Sequence, residues 1–385
     1  MENIGVISMG IKAPIIREGD NLTDIVINSV LEATWNGHTN KYDLNDRDII
    51  GITESVVARA QGNYVTVDEI AEDIKKKFNN PDVIVVEKPI YSRNRFSMIL
   101  KAIARAASKG IVLIMPEFDE VGNPSGINPW TGVDIKEYYN DICTKENKKV
   151  TIYNDMYDFF EEDLSPYDDK TGFLYCGLHD YEEWVKMNIF INELIPSDDI
   201  RSRSNYLTLA DICSDKCEYG LLGSNKATEE KLKLFPNKKK AQKLVEEIQK
   251  IIFNKIGKKL EVFVYGDGAF KSPSNGVPGS SIWEFADPVV SPAYTSGLEG
   301  SPNEIKIKAF ADDKFKNLSG KELEDAIKNE IREKDKNLVG NMASQGTTPR
   351  RYTDLLGSLC DLTSGSGDKG TPIIVIKNYF NNYSN

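Results

Sequence analysis

The sequence predicts an α/β protein, α+β in the looser sense, with mixed sheets and an inserted subdomain. Three observations lead there. Short β-branched apolar runs recur at Asp48–Thr53, Val83–Val86, Ile111–Ile114, Leu260–Tyr265 and Ile373–Ile376, each about the length of a buried strand. Between them lie stretches whose apolar residues repeat at helical spacing, such as Phe96, Ile99, Leu100 and Ile103. The glycine-rich turn near the C-terminus lacks the GxxxxGK[ST] spacing of a P-loop.

Composition narrows the chemistry. The chain has 385 residues, 40% of them hydrophobic, enough for two or three domains with ample core. Its net charge of -11 argues against nucleic acid or an anionic membrane as a standing partner. No apolar run is long enough to span a bilayer and the N-terminus has no signal-peptide pattern, so cytoplasm is the expected location. Five scattered cysteines read as reduced, mostly buried thiols, and the Cys213/Cys217 pair lacks the second pair that zinc requires. With only two histidines, His38 and His179, neither in a partnered motif, a Ser-His-Asp or Cys-His site is poorly supported. Carboxylates, arginines and lysines must carry the chemistry.

The elements follow in order. Residues 11–20 (IKAPIIREGD) set Pro14, Ile15 and Arg17 in a turn before a helix through Leu22, Val26 and Val30. The strand at 48–53 runs directly into Glu54, Ser55, Arg59 and Gly62, a place for phosphate contacts or simply a strand-to-helix connection. After the strand at 83–86, Arg93, Arg95, Lys101 and Arg105 make either a solvated helix face or an anion clamp. The strand at 111–114 ends in a Gly/Pro loop whose acidic groups are Glu117, Asp119 and Glu120, commonly just a loop but one that can offer oxygens to a hard cation.

Residues 136–225 are rich in Asp, Glu and Tyr with broken periodicity, and read as an acidic inserted subdomain. It would divide a core of residues 1–135 and 226–385. A helix is expected from Lys238 to Lys255, and then a strand that ends in Gly266-Asp267-Gly268, where glycines permit close approach of a ligand. Asn303–Phe310 alternates as an edge strand would, and a charged helix is expected from Leu323 to Val339. Arg350 and Arg351 precede a short helix through Tyr352, Leu355, Leu356 and Leu359. A Ser/Gly loop with Gly365, Gly367, Asp368, Lys369 and Gly370 then leads into the last strand. Successive amides in such a loop make a concavity suited to phosphate, although a Gly/Ser loop is more often a solvated turn.

IKAPIIREGD, DIIGITESVVARAQGN (residues 48–63), the strand-tip Asp267 and the glycine-rich loop before Pro372 together resemble the coenzyme F-420 gamma-glutamyl ligases. The likeness covers the two ends of the chain and not the central acidic segment. It implies a non-P-loop fold, commonly a homodimer, that binds GTP with two Mg2+ or Mn2+ ions and couples L-glutamate through its amine to a carboxylate-bearing acceptor. By position it implies nucleotide contacts at Pro14, Ile15, Arg17, Glu54, Ser55, Arg59 and Asn123. It further implies metal ligands at Asp119 and Asp267, with Gly365–Gly370 as the loop bearing another acidic ligand, which would be Asp368. Arg59 stands where the family usually has lysine, Glu54 where it has a small polar residue, and Gly268 where it has a hydroxyl.

The expected mechanism activates the acceptor carboxylate as an acyl phosphate, which needs positioning and charge neutralisation more than a nucleophilic side chain. Lys369 would grip the phosphate tail, and Arg350 or Arg351 would neutralise developing charge or hold glutamate. ATP in place of GTP, folate-type polyglutamylation, a nucleotide-binding module without turnover and a metal-dependent phosphatase remain open on the same residues.

Overall fold

The structure is a computed structural model that describes residues 4–34, 44–87, 89–119, 122–154, 158–159, 170–176, 206–266, 290–336, 338, 351–364 and 368–384. In chain order the strands are β1 (Ile7–Ile11), β2 (Ile49–Thr53), β3 (Tyr64–Thr66), β4 (Val83–Glu87), β5 (Gly110–Ile114), β6 (Lys149–Tyr153), β7 (Thr171–Tyr175), β8 (Tyr206–Thr208), β9 (Ser224–Thr228), β10 (Lys231–Leu234), β11 (Glu261–Gly266), β12 (Val290–Tyr294) and β13 (Ile373–Lys377). The α-helices are α1 (Leu22–Thr34), α2 (Glu54–Gln61), α3 (Val67–Lys77), α4 (Phe96–Ala106), α5 (Ile135–Lys145), α6 (Lys238–Ile256), α7 (Ile307–Asp312), α8 (Gly320–Glu333) and α9 (Tyr352–Ser364). The α/β class expected from the sequence is the class observed.

One mixed sheet joins the two ends of the chain in the order β1-β13-β2-β11-β12. Its inner strands β13, β2 and β11 are buried along nearly their whole length because both faces are covered, whereas β1 is mostly half-buried. Ile50, Ile52, Val262, Val264, Ile373 and Val375 pack toward α1 and α6, whereas Ile49, Phe263, Tyr265, Ile374 and Ile376 pack toward α9. That is the two-residue alternation of a pleated strand with a core on each side. Gly51 sits where α9 comes closest: a Cβ there would lie 2.5 Å from Cys360 Sγ and 3.0 Å from Phe263.

Residues 64–235 build a second core. Its sheet is wholly parallel, ordered β6-β5-β4-β7-β8, so the strand order reverses direction on either side of β4. A small antiparallel sheet, β3-β10-β9, packs beside it. Ile135, Tyr139 and Cys143 of α5 share one apolar cluster with Phe96 and Ile99 of α4 and with Leu232, Leu234 and Phe235, so this cluster runs across residues 135 and 225. The basic helix face is absorbed locally. Arg105 bonds Glu146, Asp68 and Glu230, and Lys101 bonds Glu230, tying α4 to α3, α5 and the β9–β10 hairpin. Glu146 foremost holds the Arg105 guanidinium above its usual range.

No edge strand spans Asn303–Phe310: residues 307–310 begin α7, which has no buried residue. Three alternating apolar residues without a face to cover specify no strand, and short apolar runs are ambiguous between the two states. Among the described residues no helix is long and apolar enough to cross a membrane.

All five cysteines are buried and none forms a disulfide. Desolvation pushes Cys143 and Cys213 up to about 12 and Cys360 well above the ordinary thiol range. At pH 8 roughly one such thiol in ten thousand is ionised, and the thiolate is the reactive form. The native protein is therefore expected to react only slowly with an aromatic disulfide reagent, and all five thiols at once in denaturant. A rapid native titration of even one cysteine would contradict this burial.

Candidate functional site

Strand directions decide where the motifs meet. β13 runs antiparallel to both β1 and β2, and β2 runs parallel to β11. The carboxyl ends of β1, β2 and β11 and the start of β13 therefore share one edge of the mixed sheet. Two backbone bonds close that edge: Ala13 N–H donates to Gly370 O at 3.2 Å, and Thr53 N–H donates to Pro372 O at 3.0 Å. The IKAPIIREGD turn, the start of α2 and the tail of the glycine loop are thus brought side by side, although more than 300 residues separate Ala13 from Gly370.

At this edge Ile16 is buried and anchors the turn, while Pro14, Ile15 and Arg17 are exposed. Asp20 accepts from the Arg17 N–H at 2.6 Å, and Gly19 N–H donates to Ala60 O at 3.0 Å, which fastens the turn to α2. Arg59, Asp368, Lys369 and Gly370 are exposed. A cleft of about 330 Å³ opens on the flank between the start of α1, the end of α2 and the start of α6, with Asn21, Thr23, Gln61, Lys240 and Lys243 among its lining residues.

Glu54 and Ser55 are the inner residues. Glu54, the first residue of α2, is only 7% exposed, and it meets a cation that sequence reasoning missed. Lys233 of β10 crosses from the second core to place its Nζ 3.2 Å from Glu54 Oε2 and 2.6 Å from Ser55 Oγ. Lys233 is itself 8% exposed. Gly266 lies against this pair: a Cβ there would fall 2.2 Å from Glu54 Cγ and 2.9 Å from Phe235. Beside it, Tyr265 is buried, and among the described residues its hydroxyl has no partner in hydrogen-bonding geometry. Burial pushes its pKa up, an effect Ser364 offsets only in part. KLKL reads as an ordinary hairpin strand with an alternating lysine, so no local signal marks Lys233.

Other expected residues lie elsewhere. Asp119 and Asn123 follow β5 in the parallel sheet and bind each other: the Asn123 backbone N–H donates to Asp119 Oδ1 at 2.8 Å and its Nδ2 to Oδ2 at 3.0 Å. Asp119 is 3% exposed and staples its own loop, the role Asp takes when a short side chain can reach nearby backbone donors. Arg351 is not brought to the edge either. It precedes Tyr352, whose ring packs on Tyr379 and Phe380 at 6.4 and 5.3 Å, beyond the carboxyl end of β13 and so at the opposite rim of the sheet. The intervening α9 spans thirteen residues, which is about 20 Å of rise. Asp267, Arg350, Gly365 and Gly367 lie outside the described residues. Among the described residues no three His, Cys, Asp or Glu side chains are grouped to hold a metal ion.

In comparison with known families, the model described as F420-0:Gamma-glutamyl ligase aligns with residues 10–378. No curated protein matches the chain.

Proposed function

The chain belongs to the F420-0:gamma-glutamyl ligase family and is on that ground a ligase, and from this premise we propose that it uses a nucleoside triphosphate and a divalent cation to join L-glutamate to a carboxylate-bearing acceptor of the F420-0 type. The acceptor carboxylate oxygen would attack the γ-phosphorus of GTP or ATP and release the diphosphate. Glutamate's amine would then attack the acyl carbon and expel phosphate, losing one proton as the amide forms.

The observation that carries this reading is the shared edge. Four segments distant in sequence end there, with backbone amides, exposed cations and the Glu54–Lys233 pair among them. Ligands of open α/β sheets sit outside the carboxyl ends of strands. In this reading Pro14, Ile15, Arg17 and Arg59 line the nucleotide, and Lys369 with the Gly365–Gly370 segment takes its phosphates.

The fit to a divalent cation is partial. Asp368 offers a hard carboxylate oxygen beside β13, and Asp267 is the next residue after Gly266. Asp119 lies past the end of β5 in the other sheet, where each of its oxygens accepts one bond from Asn123 and keeps a further lone pair. A bound cation would neutralise charge on the transferring phosphoryl group. A homodimer belongs to the same proposal and is read by light scattering.

The test incubates the protein with glutamate, ATP or GTP, Mg2+ or Mn2+ and either F420-0 or a folate acceptor. The expected result is an acceptor heavier by one glutamyl residue and nucleotide turnover that needs both co-substrates. Phosphate release indifferent to glutamate would make the protein a hydrolase, and nucleotide binding with no turnover would make it a binding module.

A further inference from the structure

We propose that Lys233 and Ser55 together form an oxyanion-binding site at the carboxyl end of β2, built jointly by the two cores. The proposal rests on the reading of this edge as the substrate site, and gives Lys233 a ligand-binding role that the reading did not assign to it.

The argument is an inventory of donors. An ammonium has three N–H donors and no acceptor. Lys233 gives one to Glu54 Oε2 and one to Ser55 Oγ, and among the described residues the third has no partner. Since Ser55 Oγ accepts from Lys233, its own proton must point elsewhere, and it too has no partner there. Two donors therefore converge within one hydrogen bond of each other. Lys233 is 8% exposed and Ser55 half-buried. Leaving the buried ammonium's donor unmatched costs free energy, and an oxyanion that accepts from it and from the half-buried serine removes that cost.

Glu54 determines which oxyanion fits. Its carboxylate already balances the ammonium, so the site offers oriented N–H and O–H groups without net positive charge. That suits a phosphate oxygen whose charge is shared with a chelated cation better than a bare anion. Glu54 acts here as a positioning residue: it fixes the lysine, 179 residues away in the chain, against the strand end. A plain bridge between cores would need the ion pair but not the serine, which separates the two roles experimentally.

The probes are Mg2+-tripolyphosphate and, separately, L-glutamate, each read by the shift in melting temperature and by titration calorimetry of wild type, Lys233→Met, Lys233→Arg and Ser55→Ala. A charge-assisted hydrogen bond lost from a buried site weakens binding by roughly 10- to 100-fold. Expected results are a wild-type shift with tripolyphosphate, loss of that shift in Lys233→Met, partial recovery in Lys233→Arg, and in Ser55→Ala a weakened shift measured against that variant's own ligand-free melting temperature. A lysine-dependent shift with glutamate instead would keep the oxyanion site and assign it to a carboxylate. If Lys233→Met does not fold, Ser55→Ala, which keeps the ion pair, carries the test. Wild-type affinity for both probes in Ser55→Ala and in every folded Lys233 variant would overturn the proposal, as would no binding of either probe by the wild type. Because these readouts need no turnover, a protein without ligase activity that still shows the Lys233-dependent shift would refute the proposed reaction and leave the oxyanion site standing.

Discussion

Replacing Glu54 by leucine is expected to lower stability by about 3–5 kcal/mol, and replacing Lys233 by methionine in the same chain to restore most of the loss. The two residues are 7% and 8% exposed and their charged groups stand 3.2 Å apart. Their desolvation is tolerable only because each compensates the other. Leucine at 54 leaves the ammonium with a serine hydroxyl and no counter-charge among its bonded partners. The double variant removes both charges and keeps the volume, a change that is often neutral in buried pairs. Urea unfolding midpoints at constant slope measure the difference. A single variant within about 1 kcal/mol of wild type would mean the pair is effectively solvated. Turnover is expected to be lost in the double variant as well, and that dissociation of stability from activity marks the pair as more than a bridge.

Much of this architecture is legible in the chain because its strands are covered on both faces. A strand with a core on each side reads as an unbroken apolar run, and the runs at 48–53, 83–86, 111–114, 260–265 and 373–376 are β2, β4, β5, β11 and β13. The helices α1, α4, α6 and α9 likewise show their buried stripe at helical spacing. The sequence also marks three of the segments that reach the site edge, through their turn residues and the strands they border.

Three other features depend on contacts that no local pattern encodes. Lys233 looks like any hairpin lysine until β10 is laid against α2. The pairing of Lys101 and Arg105 with Glu146 and Glu230 turns an apparent basic face into a neutral knot. The order of the parallel sheet likewise brings residues on either side of 135 and 225 into one core, although composition changes there. Asp119 is different, since its signal was local: an Asp with an Asn four residues on in a Gly/Pro loop favours closing that loop over opening toward a ligand.

Gly266→Ala is expected to reduce kcat/KM at least about 100-fold, the scale of a 1 Å misplacement at a reacting centre. The reason is close approach and not backbone strain: the added Cβ would lie 2.2 Å from Glu54 Cγ, 3.0 Å from Glu54 Cβ and 2.9 Å from Phe235 Cε1. Glu54 Cβ and Cγ are the root of that side chain, so rotating its carboxylate does not relieve the contact. The first turn of α2 or the tip of β11 has to move, and either motion carries Ser55 or the segment entering Asp267 out of register with the Gly370 loop. Overpacking of this kind costs about 1–3 kcal/mol in stability, less than the Glu54 substitution, so the folded protein remains available for assay. Gly257→Ala supplies the control. It lies past the end of α6 with φ +67° and nothing within 4 Å of the new Cβ, so backbone strain of about 1–2 kcal/mol is expected with turnover retained. Glutamate-dependent nucleotide turnover together with urea midpoints separates the two variants. Full turnover in Gly266→Ala would show that Glu54 can shift freely, and would place the reaction away from the edge where β2 and β11 end.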